Sequence, residues 1–278
     1  MKAYVFPGQG SQFVGMGKDL YDSIPAAKVL FEQANDLLGF KITDIMFAGS
    51  DDDLKQTKVT QPAVFLHSVI LAKSIPDFKP SMVAGHSLGE FSALVAAGAL
   101  QFKDAVRLVR LRGQFMQEAV PVGVGAMAAI IGLPIETLQE LCHEVSSQSC
   151  IVQPANLNSP VQTVIAGHKE AVEQASAKAL EVGAKKAVTL SVSAPFHSTL
   201  MRPAEIKLKK ELDQTKFYDL SSPVVTNFEA KTITKGIDAR SALVKQVCSP
   251  VRWSETMQVL VDQGIERVIE LGDRKSVV

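Results

Sequence analysis

The stretch Val83-Ala84-Gly85-His86-Ser87-Leu88-Gly89-Glu90 constrains this chain more than any other. The apolar run from Ser81 to Ala84 reads as a buried strand. A Gly-x-Ser-x-Gly follows at once, and Glu90 to Ala97 reads as a helix. Strand, tight turn, serine and helix in that order form a nucleophile elbow. A strained turn pushes the serine hydroxyl out of the backbone, and Gly85 and Gly89 let the chain pass close to itself. The helix after Ser87 aims its free N–H groups and the positive end of its dipole at the same spot. Ser87 is therefore the expected nucleophile.

The rest of the chain fits an enzyme of that class. Its 278 residues, 46% of them hydrophobic, suffice for a large core. Lys and Arg number 29, as do Asp and Glu. That balance gives no support to binding of nucleic acid or a membrane surface. The apolar runs are shorter than a membrane span. Met1 to Pro7 goes straight into a strand-like run and lacks the apolar stretch of a signal peptide. Cys142, Cys150 and Cys248 show no metal-like pairing, and so sparse a set fits the reducing cytoplasm.

Taken in order, Ala3 to Phe6 reads as a strand broken by Pro7-Gly8-Gln9-Gly10-Ser11-Gln12. That loop lacks the Gly-Lys-Ser/Thr of a Walker A loop and has no Rossmann spacing. It is either a plain connection or a loop whose N–H groups face a reacting centre. Helices are expected over Ile24 to Leu38, from Asp51, and over Ala63 to Lys73 with Pro62 near the first position. Another is expected over Ala105 to Ala119. From Gly125 the pattern runs strand, helix, strand, strand, helix, strand, which is the ferredoxin-like order. The expected architecture is thus α/β: a large α/β-hydrolase-like domain with a parallel sheet, residues 1–125 and 193–278, plus an inserted ferredoxin-like subdomain, residues 126–192.

Further candidates lie outside the elbow. Arg107 and Arg110 read as solvated charges. Arg112 lies near Phe115 and Met116 on its helix, and a buried arginine needs a carboxylate. That carboxylate is either an internal acid or a ligand. Among the histidines, His67 reads as core, while His143 and His168 read as exposed. His86 is part of the elbow. His197, in Ala194-Pro195-Phe196-His197-Ser198 where the chain returns to the large domain, is the best base candidate. Helices are also expected over Thr199 to Leu212, Ala239 to Val247 and Trp253 to Gln263.

These segments together resemble the malonyl-CoA:acyl-carrier-protein transacylases. The resemblance is carried by Phe6-Pro7-Gly8-Gln9-Gly10-Ser11-Gln12, Thr60-Gln61-Pro62-Ala63, Gly85 to Glu90, Arg112-Gly113-x-x-Met116-Gln117, Gly125-Ala126-Met127, Asn158-Ser159-Pro160, Ala194 to Ser198 and Pro250-Val251-x-Trp253. It runs from Tyr4 to about Leu271. It implies Ser87 as nucleophile and His197 as base. The backbone N–H groups of Gln9 and Leu88 would form the oxyanion hole, and Arg112 would hold the malonyl carboxylate. The carbonyl of Gln246 would orient His197, where a triad would use an acid. Phe196 before His197 is similar to members that take malonyl over methylmalonyl. The resemblance implies malonyl-CoA as substrate, an acidic acyl carrier protein as partner and no permanently bound cofactor. Lys185, Lys186, Lys207, Lys209 and Lys210 are the expected carrier-facing residues. After Leu271 the family continues with Gly-Pro-Gly and a helix, whereas this sequence reads Gly272-Asp273-Arg274-Lys275-Ser276-Val277-Val278.

An esterase or thioesterase would use Ser87 and His197 equally well. Arg112 and the lack of a triad acid argue for the transferase. A docking subunit without activity would have no need of the three together.

Overall fold

The computed structural model describes residues 1–192 and 194–272. Ser193, at the start of the junction before His197, and residues 273–278, which carry the departure from the family pattern, lie outside the described residues. Two sheets organise the fold. The larger has the order β8-β7-β2-β1-β9. Its strands are β1 (Lys2–Phe6), β2 (Met82–Gly85), β7 (Val224–Val225), β8 (Thr232–Ile233) and β9 (Arg267–Glu270). The pairs β1–β2, β1–β9 and β2–β7 are parallel. The edge strand β8 is antiparallel to β7, which departs from a purely parallel sheet. It returns from β7 by a short connection that a parallel crossover could not span.

The alternation of side chains explains why β1 and β2 are apolar throughout. Tyr4, Phe6 and Val83 face the main core. Ala3, Val5, Met82 and Ala84 face a second core with Leu260 of α12 (Trp253–Asp262). The sheet is therefore covered on both faces.

The second sheet has the order β4-β5-β3-β6, all antiparallel. It comprises β3 (Gly125–Ile131), β4 (Val152–Ser159), β5 (Gln162–His168) and β6 (Lys186–Thr189), with α8 (Ile135–Val145) and α9 (Lys169–Glu181) between them. That chain order and that spatial order are ferredoxin-like, as expected. Period-two alternation again sorts the faces. Ala128, Ile130 and Ile165 pack on Leu138, Leu141 and Val172 of the helices. Met127, Ala129 and Val164 join the main core. The small sheet thus closes over the large body rather than standing apart. Strand β4 is also stitched to the segment after α11 (Gly236–Gln246): the Leu157 N–H donates to the Val251 carbonyl at 2.9 Å, and the Val251 N–H to Ala155 at 2.9 Å.

Several expectations need correction. Helix α5 spans Thr57–Ser74, so Pro62 lies inside it and not near its start. A proline there leaves the carbonyl of residue 58 without its helical donor. The guanidinium of Arg110, on α7 (Phe102–Gln117), donates to that carbonyl and lies over the Phe40 ring at 5.2 Å. Arg110 is therefore a structural cap and not a solvated charge. His168 is half-buried, and its Nδ1 accepts from the Ile151 N–H at 3.0 Å. The segment after His197 begins as a 3₁₀ turn, Thr199–Met201, before α10 (Arg202–Gln214). Helices α1 (Lys18–Ser23) and α3 (Ile42–Ala48) add to those expected. Among the described residues no helix is long and apolar enough to cross a membrane.

The elbow joins β2 to α6 (Gly89–Ala96). A Cβ on Gly85 would lie 1.9 Å from the Gly89 carbonyl, and one on Gly89 would lie 2.1 Å from the Phe6 carbonyl. These are backbone atoms of the elbow and of the buried strand β1, which cannot move aside. Gly85→Ala is expected to destabilise the protein by more than about 4 kcal/mol. Denaturant unfolding measures it, and an unchanged midpoint would contradict this packing.

Candidate active site

Ser87 sits at the top of the elbow with φ 53°, a left-handed conformation that only the surrounding contacts can hold. Asn227, just after β7, clamps it. The Ser87 N–H donates to Asn227 Oδ1 at 2.6 Å, and Asn227 Nδ2 donates to the Gly85 carbonyl at 2.7 Å. The serine hydroxyl faces His197, with Oγ 2.7 Å from Nε2. His197 is itself left-handed, at φ 58°, and 2% exposed. Its Nδ1 lies 3.0 Å from the Gln246 carbonyl at the end of α11. A carbonyl only accepts, so Nδ1 carries the proton and Nε2 is left free to take one from Ser87.

Burial, then the nearby Arg112 charge, pushes the His197 pKa down to about 3. The imidazole is therefore neutral and ready as a base throughout the ordinary pH range.

Arg112 is fully buried. Its Nη1 donates to Gln61 Oε1 at 2.8 Å, and its Nη2 to Gln246 Oε1 at 3.0 Å and Ser87 Oγ at 3.1 Å. The guanidinium lies over the Phe91 ring at 5.7 Å. Its partners are all neutral, and its Nε–H has no acceptor among the described residues. Among the described residues no carboxylate touches it. Burial lowers its pKa to about 10, against the opposing pull of Glu90. It remains a cation at neutral pH.

The loop after β1 lies against the elbow. A Cβ on Gly8 would come within 2.7 Å of the His86 carbonyl. Ser11 Oγ closes the loop on the Gly8 carbonyl at 2.8 Å. The Gln9 side chain donates to Thr57 Oγ1 at 3.3 Å. Among the described residues, neither the Gln9 N–H nor the Leu88 N–H is paired with an acceptor.

Gln9, Gln61, His86, Ser87 and His197 border a cavity of about 180 Å³. Gln9, Ser87 and His197 lie on one side. Met127, Asn158 and Leu190, from the second sheet and its return, lie on the other. Gln61, which lines the cavity, bonds the buried Arg112. His86 Nε2 lies 2.9 Å from Asn158 Oδ1, and this bond ties the elbow to β4.

The structure thus brings Ser87, His197, Arg112 and Gln246 into one cluster, with Gln9 and Leu88 beside the serine. Sequence reading alone assigned no part to Asn227, Glu90, Gln61 or Asn158. Glu90, Gln61 and Asn158 lie in stretches already singled out, and Asn227 ends an expected strand. The side chain of Gln246 also does more than its carbonyl: its Nε2 donates to the Ser87 carbonyl at 2.9 Å and to Glu90 Oε2 at 2.7 Å.

Comparison with known proteins gives the family. A family model described as an acyl transferase domain matches residues 3–273. A malonyl CoA-acyl carrier protein transacylase of Bacillus subtilis (strain 168) is 48% identical over 275 residues, 98% of this chain and 87% of that protein. The enzyme of that name from Escherichia coli (strain K12) is 47% identical over 98% of this chain and 89% of its own length. The solved malonyl CoA-acyl carrier protein transacylase from Coxiella burnetii superposes with a TM-score of 0.94 at 43% identity, covering 98% of this chain and 87% of that one. A type II PKS acyl-carrier protein in complex with its malonyl-transacylase matches with a TM-score of 0.93 at 46% identity, over 98% and 89% of the two chains. With its elbow, its paired serine and histidine and its buried arginine, the chain belongs to the acyl transferase family, among the malonyl CoA-acyl carrier protein transacylases.

Proposed function

We propose that this protein transfers malonyl from malonyl-CoA to the phosphopantetheine thiol of acyl carrier protein, in fatty-acid synthesis. The observation that carries the reading is a buried guanidinium with neutral partners only, 3.1 Å from the nucleophile it serves. An arginine fork matches a carboxylate bidentately, and among the described residues no carboxylate reaches this fork.

His197 Nε2 takes the Ser87 proton while Oγ attacks the thioester carbonyl. The carbonyl oxygen becomes an oxyanion, held by the N–H groups of Gln9 and Leu88. The tetrahedral intermediate collapses, the C–S bond breaks, and His197 returns the proton to the departing CoA thiolate. Arg112 turns donors now given to Ser87 and Gln61 onto the malonyl carboxylate. Malonyl-Ser87 then undergoes the same steps in reverse, with the carrier's thiol as nucleophile. No cofactor is required, because both half-reactions are acyl exchanges.

We read residues 126–192 as an inserted lobe on a body made of 1–125 and 193–278. Lys185, Lys186, Lys207, Lys209 and Lys210 are all exposed and remain the proposed carrier-facing set, although Lys207 and Lys209 each face an acid, Glu118 and Asp213. The three cysteines are free, which suits work in the cytoplasm.

Two-substrate kinetics with malonyl-CoA and holo-carrier protein test the reading. Parallel double-reciprocal lines are expected. The acylation rate at saturating malonyl-CoA is expected to stay level as pH falls from about 8 to about 5, because His197 protonates only below that range. Release of free malonate in place of carrier acylation would support a thioesterase instead.

A further inference from the structure

A buried cation with no adjacent anion is costly, so the counter-charge of Arg112 has to lie somewhere. Among the described residues the buried candidate is Glu90, on the first turn of α6. It does not touch Arg112. Its Oε2 instead accepts from Gln246 Nε2 at 2.7 Å and from the Asn227 N–H at 3.0 Å. On the far side of the same amide, Gln246 Oε1 accepts from Arg112 at 3.0 Å. A guanidinium only donates and a carboxylate only accepts, so the amide has a single satisfied orientation: nitrogen to Glu90, oxygen to Arg112.

We propose that Glu90 is a positioning residue, the counter-ion of Arg112 held one amide away by Gln246, and that its charge sets how strongly the site binds an acyl group bearing a carboxylate. The inference rests on the malonyl-transfer reading above. The spacing has a chemical purpose. In direct contact, Glu90 would occupy the fork that a substrate carboxylate needs. At one remove it supports the buried cation and leaves the fork to the ligand. The same carboxylate also fixes Asn227 and Gln246, which hold the N–H and C=O of Ser87.

The arrangement couples malonyl binding to a proton. Burial raises the Glu90 pKa to about 7, while Asn227, Gln246 and Arg112 act against the rise. Arg112 is the charged group that acts on it. His197 and His86 are the other titratable groups around the serine, and burial holds both neutral. Helix α5 contributes the neutral Gln61, and the neighbouring strand β2 contains no titratable residue. When a malonyl carboxylate takes the Arg112 charge, Glu90 loses its support and binds a proton from solvent on Oε1, the oxygen without a partner among the described residues. Reciprocally, protonating Glu90 tightens malonyl binding.

Proton uptake by the unmodified protein is the test, followed with a pH indicator in weak buffer near neutrality on mixing with malonyl-CoA. The exchange of thioester for ester releases no proton of its own. A fractional proton taken up per malonyl-Ser87 formed is expected, with acylation counted by intact mass in the same samples. Acylation without uptake would overturn the inference, whereas absence of acylation would overturn the reading beneath it. Glu90→Gln gives the second arm, since its amide oxygen can keep both accepted bonds. The wild-type KM for malonyl-CoA is expected to rise about five- to tenfold from about pH 6 to about pH 8, and that of the variant to stay low and level apart from any trend common to both. Equal pH profiles for the two proteins would overturn the inference.

Discussion

Ser87→Ala is expected to lower malonyl transfer by at least about 10⁴-fold and to abolish the covalent adduct. The hydroxyl is placed to attack: its oxygen is 2.7 Å from Nε2 of His197, the proposed base, and 3.1 Å from the guanidinium of Arg112, the proposed carboxylate clamp. Alanine removes that oxygen and little else. The elbow is held by backbone contacts, the Ser87 N–H to Asn227 and the Ser87 carbonyl to Gln246, and these survive the substitution. The variant is therefore expected to fold and to bind malonyl-CoA. Intact-mass measurement after mixing checks it, and an adduct surviving at full yield would place the nucleophile elsewhere.

Arg112→Ala is expected to act on selectivity. The change removes the group proposed to distinguish malonyl from acetyl, while Ser87, His197 and the proposed oxyanion donors remain. A site built to pair with a polar substrate group can discriminate by about 10⁴-fold or more against an analogue lacking it. Malonyl transfer is expected to fall by on the order of 10³-fold or more, and acetyl transfer far less. The ratio is the quantity to measure. Loss of the guanidinium also leaves the carboxamide oxygens of Gln61 and Gln246 without their donor, and this lowers both rates together. Equal losses for both acyl groups would mean that Arg112 only supports the cluster.

Much of this was legible in the sequence because it is written locally. Gly-x-Ser-x-Gly between an apolar run and a helix describes the elbow, and Gly85 and Gly89 sit where a Cβ would strike backbone. The unbroken apolar run in Gly125–Ile131 marks a strand buried on both faces. The failures have physical causes too. Pro62 reads as a helix start because its own position shows only the missing N–H. The donor that rescues the freed carbonyl, Arg110, lies 52 residues away. Glu90 reaches Asn227 and Gln246 across 137 and 156 residues, a partnership that no periodicity encodes. Strand β8 has too few residues to show any alternation. Residues in the site thus carry recognisable types, whereas the pairing among them is set by the fold.

In the proposed reaction one serine carries malonyl between two thiols. The most direct measurement is to isolate the protein after brief exposure to malonyl-CoA, map the adduct by peptide mass, and chase it with holo-carrier protein. Malonyl is expected on Ser87, stable in buffer and passed to the carrier's thiol at the catalytic rate. An adduct on another residue, or one lost to water as fast as to the carrier, would contradict it.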